Sequence, residues 1–297
     1  MEHSAPQPRE IAFADGERRP ALGLGTWRLG ESRARRAEEI AAVRLAIDIG
    51  YRVIDTAEMY GEGGAEEVVG EAVTGAIREG LAREDLFVVS KAYPHNASRA
   101  GVVQACERSL RRLRLDRIDL YLLHWRGGEP LAQTIAGFED LVGRGRIRRW
   151  GVSNFDLDDL AELQALPGGS ACAANQVYYS LGRRGVEFDV LPWQQRMRMP
   201  LMAYCPIDQG ALAARGAGAA LHTALHSIAR KHGATPAQVA LAALMARPGV
   251  QAIPKAVREA HLRENWAAQR LALDADDLAA LDRDFPPPKA KTPLAMT

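Results

Sequence analysis

Four side chains that can hold or transfer a proton stand at or near the ends of apolar runs in the first half of the chain. Asp55, Lys91 and His124 each end such a run, and Tyr60 follows Asp55 after a short loop. A phenol is a poor acid at neutral pH because its pKa is about 10, but a neighbouring ammonium stabilises the phenolate and lowers that pKa. The residue types therefore predict proton transfer, with Tyr60 as the acid and Lys91 as its activator.

The other two groups would support that pair. A buried lysine needs a counterion to stay charged, and Asp55 is the predicted counterion. An imidazole can hold a substrate oxygen in line and assist a proton transfer, which is the role predicted for His124. Taken singly, such residues are more often solvated or packed than catalytic. The prediction therefore depends on all four meeting at one mouth, as the strand ends of one closed parallel sheet do.

The elements that would position these residues follow a βα pattern. Short apolar runs alternate with longer amphipathic stretches, as in βα units around a parallel sheet. We predict eight strands, at residues 21–25, 52–55, 86–91, 118–124, 148–153, 173–177, 201–204 and 250–254. The predicted fold class is α/β, an eight-stranded parallel (β/α)8 TIM barrel, whose usual size suits one domain over residues 1–297.

Three segments outside the strands also carry predictions. Residues 11–13, the turn-like Asp15-Gly16 and a second short run predict an N-terminal hairpin that plugs the bottom of the barrel. The loop 209–220, rich in Gly and Ala, is predicted to be a mobile cover over a ligand. Thr235 and Pro236 predict the start of a helix, and the proline-rich tail from Phe285 is predicted to lie extended.

Composition argues against several classes of protein. Lys and Arg number 38 and Asp and Glu 37, so no overall field favours nucleic acid or an anionic membrane. The chain has no apolar run of membrane-spanning length, and its polar start lacks the apolar core of a secretory signal. The three cysteines are odd in number and lack CxxC spacing, which disfavours disulfides and a zinc site. We therefore expect a cytoplasmic protein without a bound metal.

Short motifs occur in a fixed order along almost the whole chain. They are GLGTW at 23–27, IDTAEMYG at 54–61, SK at 90–91, LHW at 123–125, GVSN at 151–154, NQV at 175–177 and IPK at 253–255. With this ordered set the chain resembles the aldo-keto reductase superfamily. The stretch 191–193 and the tail PPK at 287–289 look most similar to bacterial methylglyoxal-reductase-like members.

The resemblance implies an enzyme that reduces small aldehydes and ketones to alcohols with NADPH, with NADH as the open alternative. Methylglyoxal and other 2-oxoaldehydes are the expected substrates. Hydride would pass from C4 of the nicotinamide to the carbonyl carbon while Tyr60 protonates the oxygen. A small carbonyl compound is then the expected partner, and the chain is expected to be a monomer.

Residue-by-residue matching to the family extends the site beyond the four proton-transfer groups. It implies that the nicotinamide carboxamide is bound by Ser153, Asn154 and Gln176, and that its ring stacks on Tyr204. It implies that the adenosine end is bound by Lys255, Glu264 and Asn265. Trp27 and Trp125 are expected to line an apolar substrate mouth, with core packing as the alternative for each.

The chain departs from the family pattern at positions that bear on the cofactor. Family members often carry a hydroxyl residue directly after the lysine of the motif IPK, and an Arg six positions after that lysine. This chain has Ala256 and His261 at these two positions. Arg is permanently charged whereas His is charged only in part at neutral pH, which weakens the expected 2′-phosphate site. Arg258 and Arg263 are the candidates to compensate.

Two further departures lie near the loop that follows the predicted strand 201–204. Asp208 would repel a cofactor pyrophosphate if its carboxylate pointed there. Cys205 stands where the family often has Ser, and is interpreted as a small packing residue.

Three alternatives compete with this interpretation. A Rossmann reductase needs GxGxxG, and the run from Gly23 to Arg28 lacks the third glycine. A metal-dependent barrel hydrolase needs a ligand set, but the pair His222 and His226 lacks the Glu of HExxH. A non-enzymatic, cofactor-binding regulatory subunit on the same barrel is compatible with the fold, since fold does not determine function. The intact set of four proton-transfer groups argues against that third alternative.

Overall fold

The computed structural model describes residues 9–213 and 222–297. The chain forms two compact units built from interleaved segments. The larger unit comprises Gly23–Gln176 and Lys255–Glu259, and the smaller unit comprises Met1–Leu22, Val177–Pro254 and Ala260–Thr297. The cover predicted at 209–220 lies outside the described residues from position 214 onward. The single-domain organisation over 1–297 stays a prediction.

The secondary-structure elements of the described residues alternate along most of the chain. The strands are β1 (Glu10–Ala12), β2 (Arg18–Pro20), β3 (Leu24–Gly25), β4 (Val53–Asp55), β5 (Phe87–Ala92), β6 (Ile118–Leu123), β7 (Ile147–Ser153), β8 (Asn175–Tyr178), β9 (Leu201–Tyr204) and β10 (Val250–Ala252). The helices are α1 (Arg36–Ile49), α2 (Gly64–Arg78), α3 (Arg99–Leu113), α4 (Leu131–Gly143), α5 (Leu157–Ala165), α6 (Val190–Arg196), α7 (Thr223–Lys231), α8 (Pro236–Met245), α9 (Glu259–Ala267) and α10 (Ala275–Asp284).

The larger unit is a parallel sheet with helices packed against it. Strands β3 to β7 pair in chain order and every pair is parallel, and the first two residues of β8 pair with β7. All residues of β4, β5 and β6 are buried, which explains their nearly unbroken apolar sequences, because a parallel strand covered on both faces has no solvent side. Parallel neighbours end at the same edge, so the residues that close these strands lie side by side.

Strand boundaries agree with the predictions to within a few residues, and β9 agrees at both ends. The first predicted strand, 21–25, is the largest departure, since only Leu24 and Gly25 form a ladder and Leu22 makes an isolated bridge to Ala252. The last strand ends at Ala252, two residues before the predicted end, and Pro254 has no N–H with which to extend it.

The smaller unit begins with the hairpin and continues with β9, β10 and the later helices. Strands β1 and β2 are antiparallel where a hairpin was predicted, and Gly16 adopts a φ of +87° in the turn. Ile11 and Phe13 are buried. Thr235 caps α8 by accepting a hydrogen bond from the backbone N–H of Gln238, with Pro236 in the first turn, as predicted. No helix or strand follows Asp284 in the described tail.

Asp277 in the first turn of α10 collects three hydrogen bonds. Its carboxylate accepts from Lys231 Nζ at 2.7 Å and from the Asp274 backbone N–H at 3.2 Å, and it lies 2.6 Å from His232 Nε2. Burial opposes ionisation of this carboxyl group, but the hydrogen bonds from Lys231 and His232 outweigh burial and lower its pKa to about 2. The contacts join the end of α7 to the start of α10.

We expect Asp277→Asn to lower the free energy of unfolding by about 1–2 kcal/mol at neutral pH, because charge-assisted hydrogen bonds are lost. A carboxyl group whose pKa is lowered by folding stabilises the native state above its unfolded pKa, near 4, and loses that effect as the pH falls toward about 2. Thermal unfolding from pH 7 to pH 2 should therefore show the melting temperatures of variant and wild type converging at the acid end.

Asp276→Asn is the matched control, since Asp276 is an exposed neighbour in the same helical turn. It removes the same charge from the helix N-terminus without the Lys231 and His232 contacts. Equal losses in the two variants at neutral pH would mean that only the helix dipole is involved and that the contacts contribute nothing.

Candidate active site

Lys91 joins Asp55 and Tyr60 at the edge where β4 and β5 end. Its Nζ donates hydrogen bonds to Asp55 Oδ2 at 2.8 Å, to the Thr56 carbonyl oxygen at 2.9 Å and to the Tyr60 hydroxyl oxygen at 3.2 Å. The Lys91 side chain is 0% exposed and that of Asp55 is 3% exposed. An ammonium has three N–H donors, so each donor has one acceptor. Three of the four predicted groups are thus in direct contact.

The surroundings of Lys91 act on its pKa in opposite directions. Burial lowers the pKa, and the charge and hydrogen bond of Asp55 oppose that change. The ammonium also lies 4.7 Å from the centroid of the Tyr60 ring. Tyr60 is only half-buried, whereas the cation that its hydroxyl contacts is fully buried. A proton can therefore leave this hydroxyl while the cation stabilises the oxygen left behind.

His124 directly follows β6 and lies beside Tyr60. The two ring centroids are 5.7 Å apart at an interplanar angle of 75°. Burial, together with the charge of Lys91, places the pKa of His124 well below its ordinary value. The ring is therefore neutral at neutral pH, with one nitrogen as donor and the other as acceptor. His124, the fourth predicted group, therefore lies next to the other three.

The Nδ1 atom of His124 is buried and has no hydrogen-bond partner among the residues that the structure describes. A buried nitrogen without a partner is less unfavourable as an acceptor than as an N–H donor, because unpaired buried N–H groups are the rarer of the two in proteins. This environment favours the tautomer that carries its proton on Nε2.

Asp55 is held on its other side by residues distant in sequence. Gln176 Nε2 donates to Asp55 Oδ1 at 2.7 Å, so the two carboxylate oxygens have different partners, Gln176 and Lys91. The Asp55 carbonyl oxygen accepts from the hydroxyl and the backbone N–H of Thr26. The carboxylate therefore has a fixed orientation toward Lys91, which a counterion in a buried site requires.

Ser153, Asn154 and Gln176 form a polar cluster beside the four proton-transfer groups. The Gln176 carbonyl oxygen accepts from Ser153 Oγ and from the Asn154 backbone N–H, each at 2.8 Å. The Asn154 side chain donates to the His124 carbonyl oxygen at 3.1 Å. Asn154 adopts a φ of +59°, a conformation that asparagine tolerates better than most residues. The three predicted carboxamide-binding residues are thus adjacent to one another and to the acid–base groups.

The two predicted mouth residues differ in their surroundings. Trp125 lies against His124, with 4.9 Å between ring centroids, and edge-on to Tyr93 at 6.0 Å. Trp27 is half-buried in the loop after β3, and the guanidinium of Arg28 lies 4.6 Å from the centroid of its ring. Trp125 is therefore part of the wall next to His124, whereas Trp27 has a cation on its face.

Glycines allow the loop after β3 to touch the turn that carries Tyr60. A Cβ on Gly30, which has a φ of +75°, would lie 2.1 Å from the carbonyl carbon of Gly64, and a Cβ on Gly61 would lie 2.9 Å from that of Gly30. Such distances leave no room for a side chain. The backbones pack directly on one another, which fixes the turn Tyr60–Gly63 relative to the Trp27 loop.

Lys255 belongs to the larger unit, where it forms a parallel bridge with Gly25. Desolvation lowers the pKa of Lys255, and the charges of Arg35 and Arg28 lower it further, while Glu39 opposes them. Three cations, Lys255, Arg35 and Arg28, therefore share one region with two carboxylates, Glu39 and Glu31, and the cations are in the majority. Such a region attracts an anion, as the prediction for this lysine requires, and Ala256 next to it offers no hydroxyl.

Tyr204 ends β9 in the smaller unit and lies 5.4 Å from the Tyr178 ring, centroid to centroid. The Tyr178 hydroxyl donates to Asp208 at 2.5 Å, and Arg183 lies 3.9 Å from the same carboxylate oxygen. Asp208 therefore has a donor and a cation within its own unit, which offsets its charge. Burial raises the pKa of the half-buried Cys205 thiol to about 11, so the thiol is neutral at neutral pH, and its packing role stays a prediction.

The remaining predicted residues of the smaller unit lie on α9. Glu264 accepts a hydrogen bond from the Thr235 hydroxyl, and its carbonyl oxygen accepts from Gln238 Nε2 at 3.0 Å. Asn265 is buried. Glu264 thus supports the start of α8, and a role for it at a cofactor would be additional to that contact.

Sequence reasoning missed Glu58, a buried carboxylate between Asp55 and Tyr60. The available signal was an acidic residue inside the motif IDTAEMYG. The family resemblance assigned roles only to Asp55 and Tyr60 of that motif. Glu66 was missed as well. It is completely buried and accepts hydrogen bonds from Ser90 and Arg112.

The metal-dependent alternative needs a group of metal ligands, for which His222 was considered. His222 stacks on Phe285 with 4.5 Å between ring centroids. Within residues 9–213 and 222–297 no three or more His, Cys, Asp or Glu side chains are grouped so as to hold a metal ion. None of the helices in that part of the chain is long and apolar enough to cross a membrane.

Comparisons with known proteins identify what the chain is similar to. The family model described as Aldo/keto reductase family matches residues 21–283. Methylglyoxal reductase YeaE of Escherichia coli strain K12 is 48% identical over 290 residues, covering 98% of this chain and 99% of that protein. Methylglyoxal reductase DkgB of Salmonella typhimurium is 32% identical over 269 residues, covering 89% and 93%.

Among solved structures, an aldo-keto reductase from Klebsiella pneumoniae in complex with NADPH is 47% identical. It matches with a TM-score of 0.91 and covers 98% of this chain and 100% of that one. This likeness confirms the predicted fold class, the (β/α)8 barrel.

Proposed function

The chain belongs to the aldo/keto reductase family, and from that premise we propose that it reduces methylglyoxal and related small 2-oxoaldehydes, with Tyr60 as the proton donor. NADP(H)-dependent reduction of carbonyl compounds is the activity that its family membership and its similarity to an NADPH-complexed relative establish. The substrate class and the tasks of the individual residues are the proposal. The non-enzymatic alternative is not favoured, because named reductases match the chain over almost its whole length.

One observation carries the assignment of the acid. The Lys91 Nζ lies 2.8 Å from Asp55 and 3.2 Å from the Tyr60 hydroxyl, in a pocket that excludes water from the lysine. When Tyr60 gives its proton to the oxygen of the carbonyl substrate, the charge that remains on the phenolic oxygen is stabilised by this cation. Asp55 keeps the cation charged and in place, since a buried ammonium without a counterion loses its proton.

His124 orients the substrate in this proposal. Its neutral ring, with the proton on Nε2, donates a hydrogen bond to the carbonyl oxygen and holds that oxygen within reach of Tyr60. A neutral donor is suited to this task because it polarises the carbonyl group without competing with Tyr60 for the proton-donor role. Trp125 provides an apolar surface next to the reacting group.

The residues present fit a nicotinamide dinucleotide phosphate. The polar cluster Ser153, Asn154 and Gln176 adjoins the acid–base groups and can bind a carboxamide, and the cationic region around Lys255 can bind a phosphate. When bound, the cofactor supplies the hydride that the carbonyl carbon accepts. For the smaller unit we propose, from the family resemblance, that Tyr204 stacks on the nicotinamide ring and that Glu264 and Asn265 hydrogen-bond the adenosine end. We also propose a monomer that works in the cytoplasm.

The substrate proposal is tested with a panel of carbonyl compounds and both reduced nicotinamide cofactors, followed by absorbance of the cofactor. We expect the highest kcat/KM for methylglyoxal or another 2-oxoaldehyde with NADPH, because the matched relatives are named methylglyoxal reductases. Aromatic aldehydes serve as the comparison class within the same assay. A kcat/KM for simple aldehydes at least tenfold above that for every 2-oxoaldehyde would overturn the substrate class and leave the family activity intact.

The same panel tests the cofactor assignment. The cations near Lys255 predict a lower KM for NADPH than for NADH, since the 2′-phosphate adds charge that only NADPH carries. A clear preference for NADH would show that Lys255 does not select for the 2′-phosphate. Such a result would fit the neighbouring residues, since Ala256 has no hydroxyl and His261 stands where relatives often have Arg.

A further inference from the structure

Glu58 is a buried carboxylate that the proton-transfer mechanism does not use. It is 6% exposed and lies in the loop between β4 and the Tyr60 turn. Its Oε1 accepts hydrogen bonds from the Tyr93 backbone N–H at 2.7 Å and from Asn96 Nδ2 at 2.8 Å. Its Oε2 lies 3.4 Å from Arg108 and 3.9 Å from Arg112, both on α3. Both oxygens therefore have partners.

These contacts fasten one active-site loop to the next. Glu58 belongs to the loop that leads to Tyr60, and its backbone N–H donates to the Lys91 carbonyl oxygen at 3.3 Å. Its carboxylate holds the segment 93–96, which follows β5. A buried carboxylate needs several donors and a nearby cation to offset its lost hydration. Here the two donors to Oε1 come from that second loop and the cations come from α3.

The segment that Glu58 holds forms part of the aromatic wall beside His124. The Tyr93 ring stacks on His95 with centroids 4.7 Å apart and meets Trp125 edge-on at 6.0 Å. Trp125 in turn lies 4.9 Å from His124. The Tyr93 hydroxyl donates to Glu62 at 2.9 Å. A continuous series of contacts therefore leads from Glu58 through Tyr93 and Trp125 to the imidazole.

Space is available for this wall to move if it is released. A polar cavity of about 210 Å³ lies next to the segment, and Glu58, Tyr93, Asn96, Arg108 and Arg112 are among its lining residues. Interiors without such space resist displacement because they are close-packed. On the side that faces this space, Tyr93 is held by the hydrogen bond from its backbone N–H to Glu58 and by the one from its hydroxyl to Glu62.

We propose that Glu58 is a positioning residue for the carbonyl substrate: it holds the Tyr93 segment so that the Tyr93–Trp125 wall presents a fixed surface beside His124. The proposal deepens the proposed function and rests on it, because the wall matters only if the substrate reacts at Tyr60 and His124. Glu58 makes no proton transfer in this account. Its loss should weaken substrate binding more than it slows the chemical step.

The test is steady-state kinetics of Glu58→Gln with the best carbonyl substrate of the wild type. The isosteric amide keeps the volume and one acceptor oxygen but loses the charge. Its NH2 group must then face either the loop donors or the guanidinium groups of Arg108 and Arg112, and all of these are donors themselves. We expect KM for the carbonyl compound to rise about five- to tenfold, as expected when a charge-assisted hydrogen bond is lost. The variant's kcat and its dissociation constant for NADPH should stay within about twofold of wild type.

Glu67→Gln is the matched control, because Glu67 is an exposed glutamate on α2 and its change removes the same charge. It should leave all kinetic constants unchanged. A Glu58→Gln variant that folds and binds NADPH but keeps the wild-type KM would overturn the proposal. So would an equal rise in the KM for NADPH and for the carbonyl compound, which is the result of a general loosening of the fold.

Asn96→Ala gives a second, milder test, and as a single variant it does not depend on the folding of Glu58→Gln. It should raise the KM of the carbonyl compound about two- to threefold in the wild-type background, in line with one lost hydrogen bond, and less in the Glu58→Gln background. An unchanged KM in Asn96→Ala, or the same rise in both backgrounds, would count against coupling through Glu58. Failure of the wild type to turn over 2-oxoaldehydes is a different result, which bears on the proposed substrate alone.

Discussion

Replacing Tyr60 by phenylalanine should lower kcat by about 10²- to 10⁴-fold, the usual contribution of a general acid, while the dissociation constant for NADPH stays within about twofold. The change removes one oxygen atom, the one that lies 3.2 Å from Lys91 Nζ. The ring that packs against His124 is retained. A loss of this size without a change in cofactor binding would show that the Tyr60 hydroxyl acts in the chemical step and not in binding the cofactor.

The measurement combines turnover, followed by nicotinamide absorbance, with a fluorescence titration of NADPH. Tyr121→Phe is the matched control, because it removes the same atom from a buried tyrosine whose ring faces Phe138 on α4 rather than the site. It should change kcat by less than about twofold, since it lacks any contact with reacting atoms. If Tyr60→Phe retained more than a tenth of wild-type turnover, another group would have to supply the proton.

Lys91→Met should have a large effect on stability as well as on turnover. Removing one member of a buried ion pair leaves an uncompensated charge on Asp55, and such losses amount to about 3–5 kcal/mol. For a protein of this size the melting temperature should fall by on the order of 10 °C. The kcat value should fall by about 10²- to 10⁴-fold, because the phenolic oxygen loses the cation that stabilises it.

The double variant Asp55→Asn/Lys91→Met distinguishes the two effects. It removes both charges at once, so no unpaired carboxylate remains and a substantial part of the lost stability should return. Turnover should not return, because activation of Tyr60 requires the ammonium. Differential scanning calorimetry and steady-state kinetics on both variants provide the comparison. Recovery of activity in the double variant would mean that Lys91 serves only to balance Asp55, and a Lys91→Met protein as stable as wild type would contradict the pairing itself.

Much of the fold could be predicted because its signals are local. Strands β4, β5 and β6 of the larger unit are largely apolar runs, as a parallel strand buried on both faces requires. Thr235 and Pro236 were recognisable as a helix start for the same reason, since a cap and its first turn are neighbours in sequence. The short β3 was overestimated at 21–25, because pairing depends on partners in other segments.

The site was predictable in its acid–base groups and less so in what holds them. Asp55, Tyr60, Lys91 and His124 could be selected because polar residues at the ends of buried parallel strands share one edge. Gln176 was assigned to the cofactor by resemblance, and the structure adds that it donates to Asp55 across 121 positions of the chain. Roles at the adenosine end remain predictions, and Glu264 already has a structural contact with Thr235.

The sequence by itself determined which residues stand at strand ends and therefore which chemical groups converge, because both follow from local patterns of burial. Tertiary structure alone decided which partner each group has: Lys91 between Asp55 and Tyr60, Glu58 holding residues 93–96, and glycines that let the Trp27 loop touch the Tyr60 turn. The physical reason is that hydrogen bonds and close backbone contacts are decided by distances of a few tenths of an ångström. Those distances are set only when strands remote in sequence pair in one register.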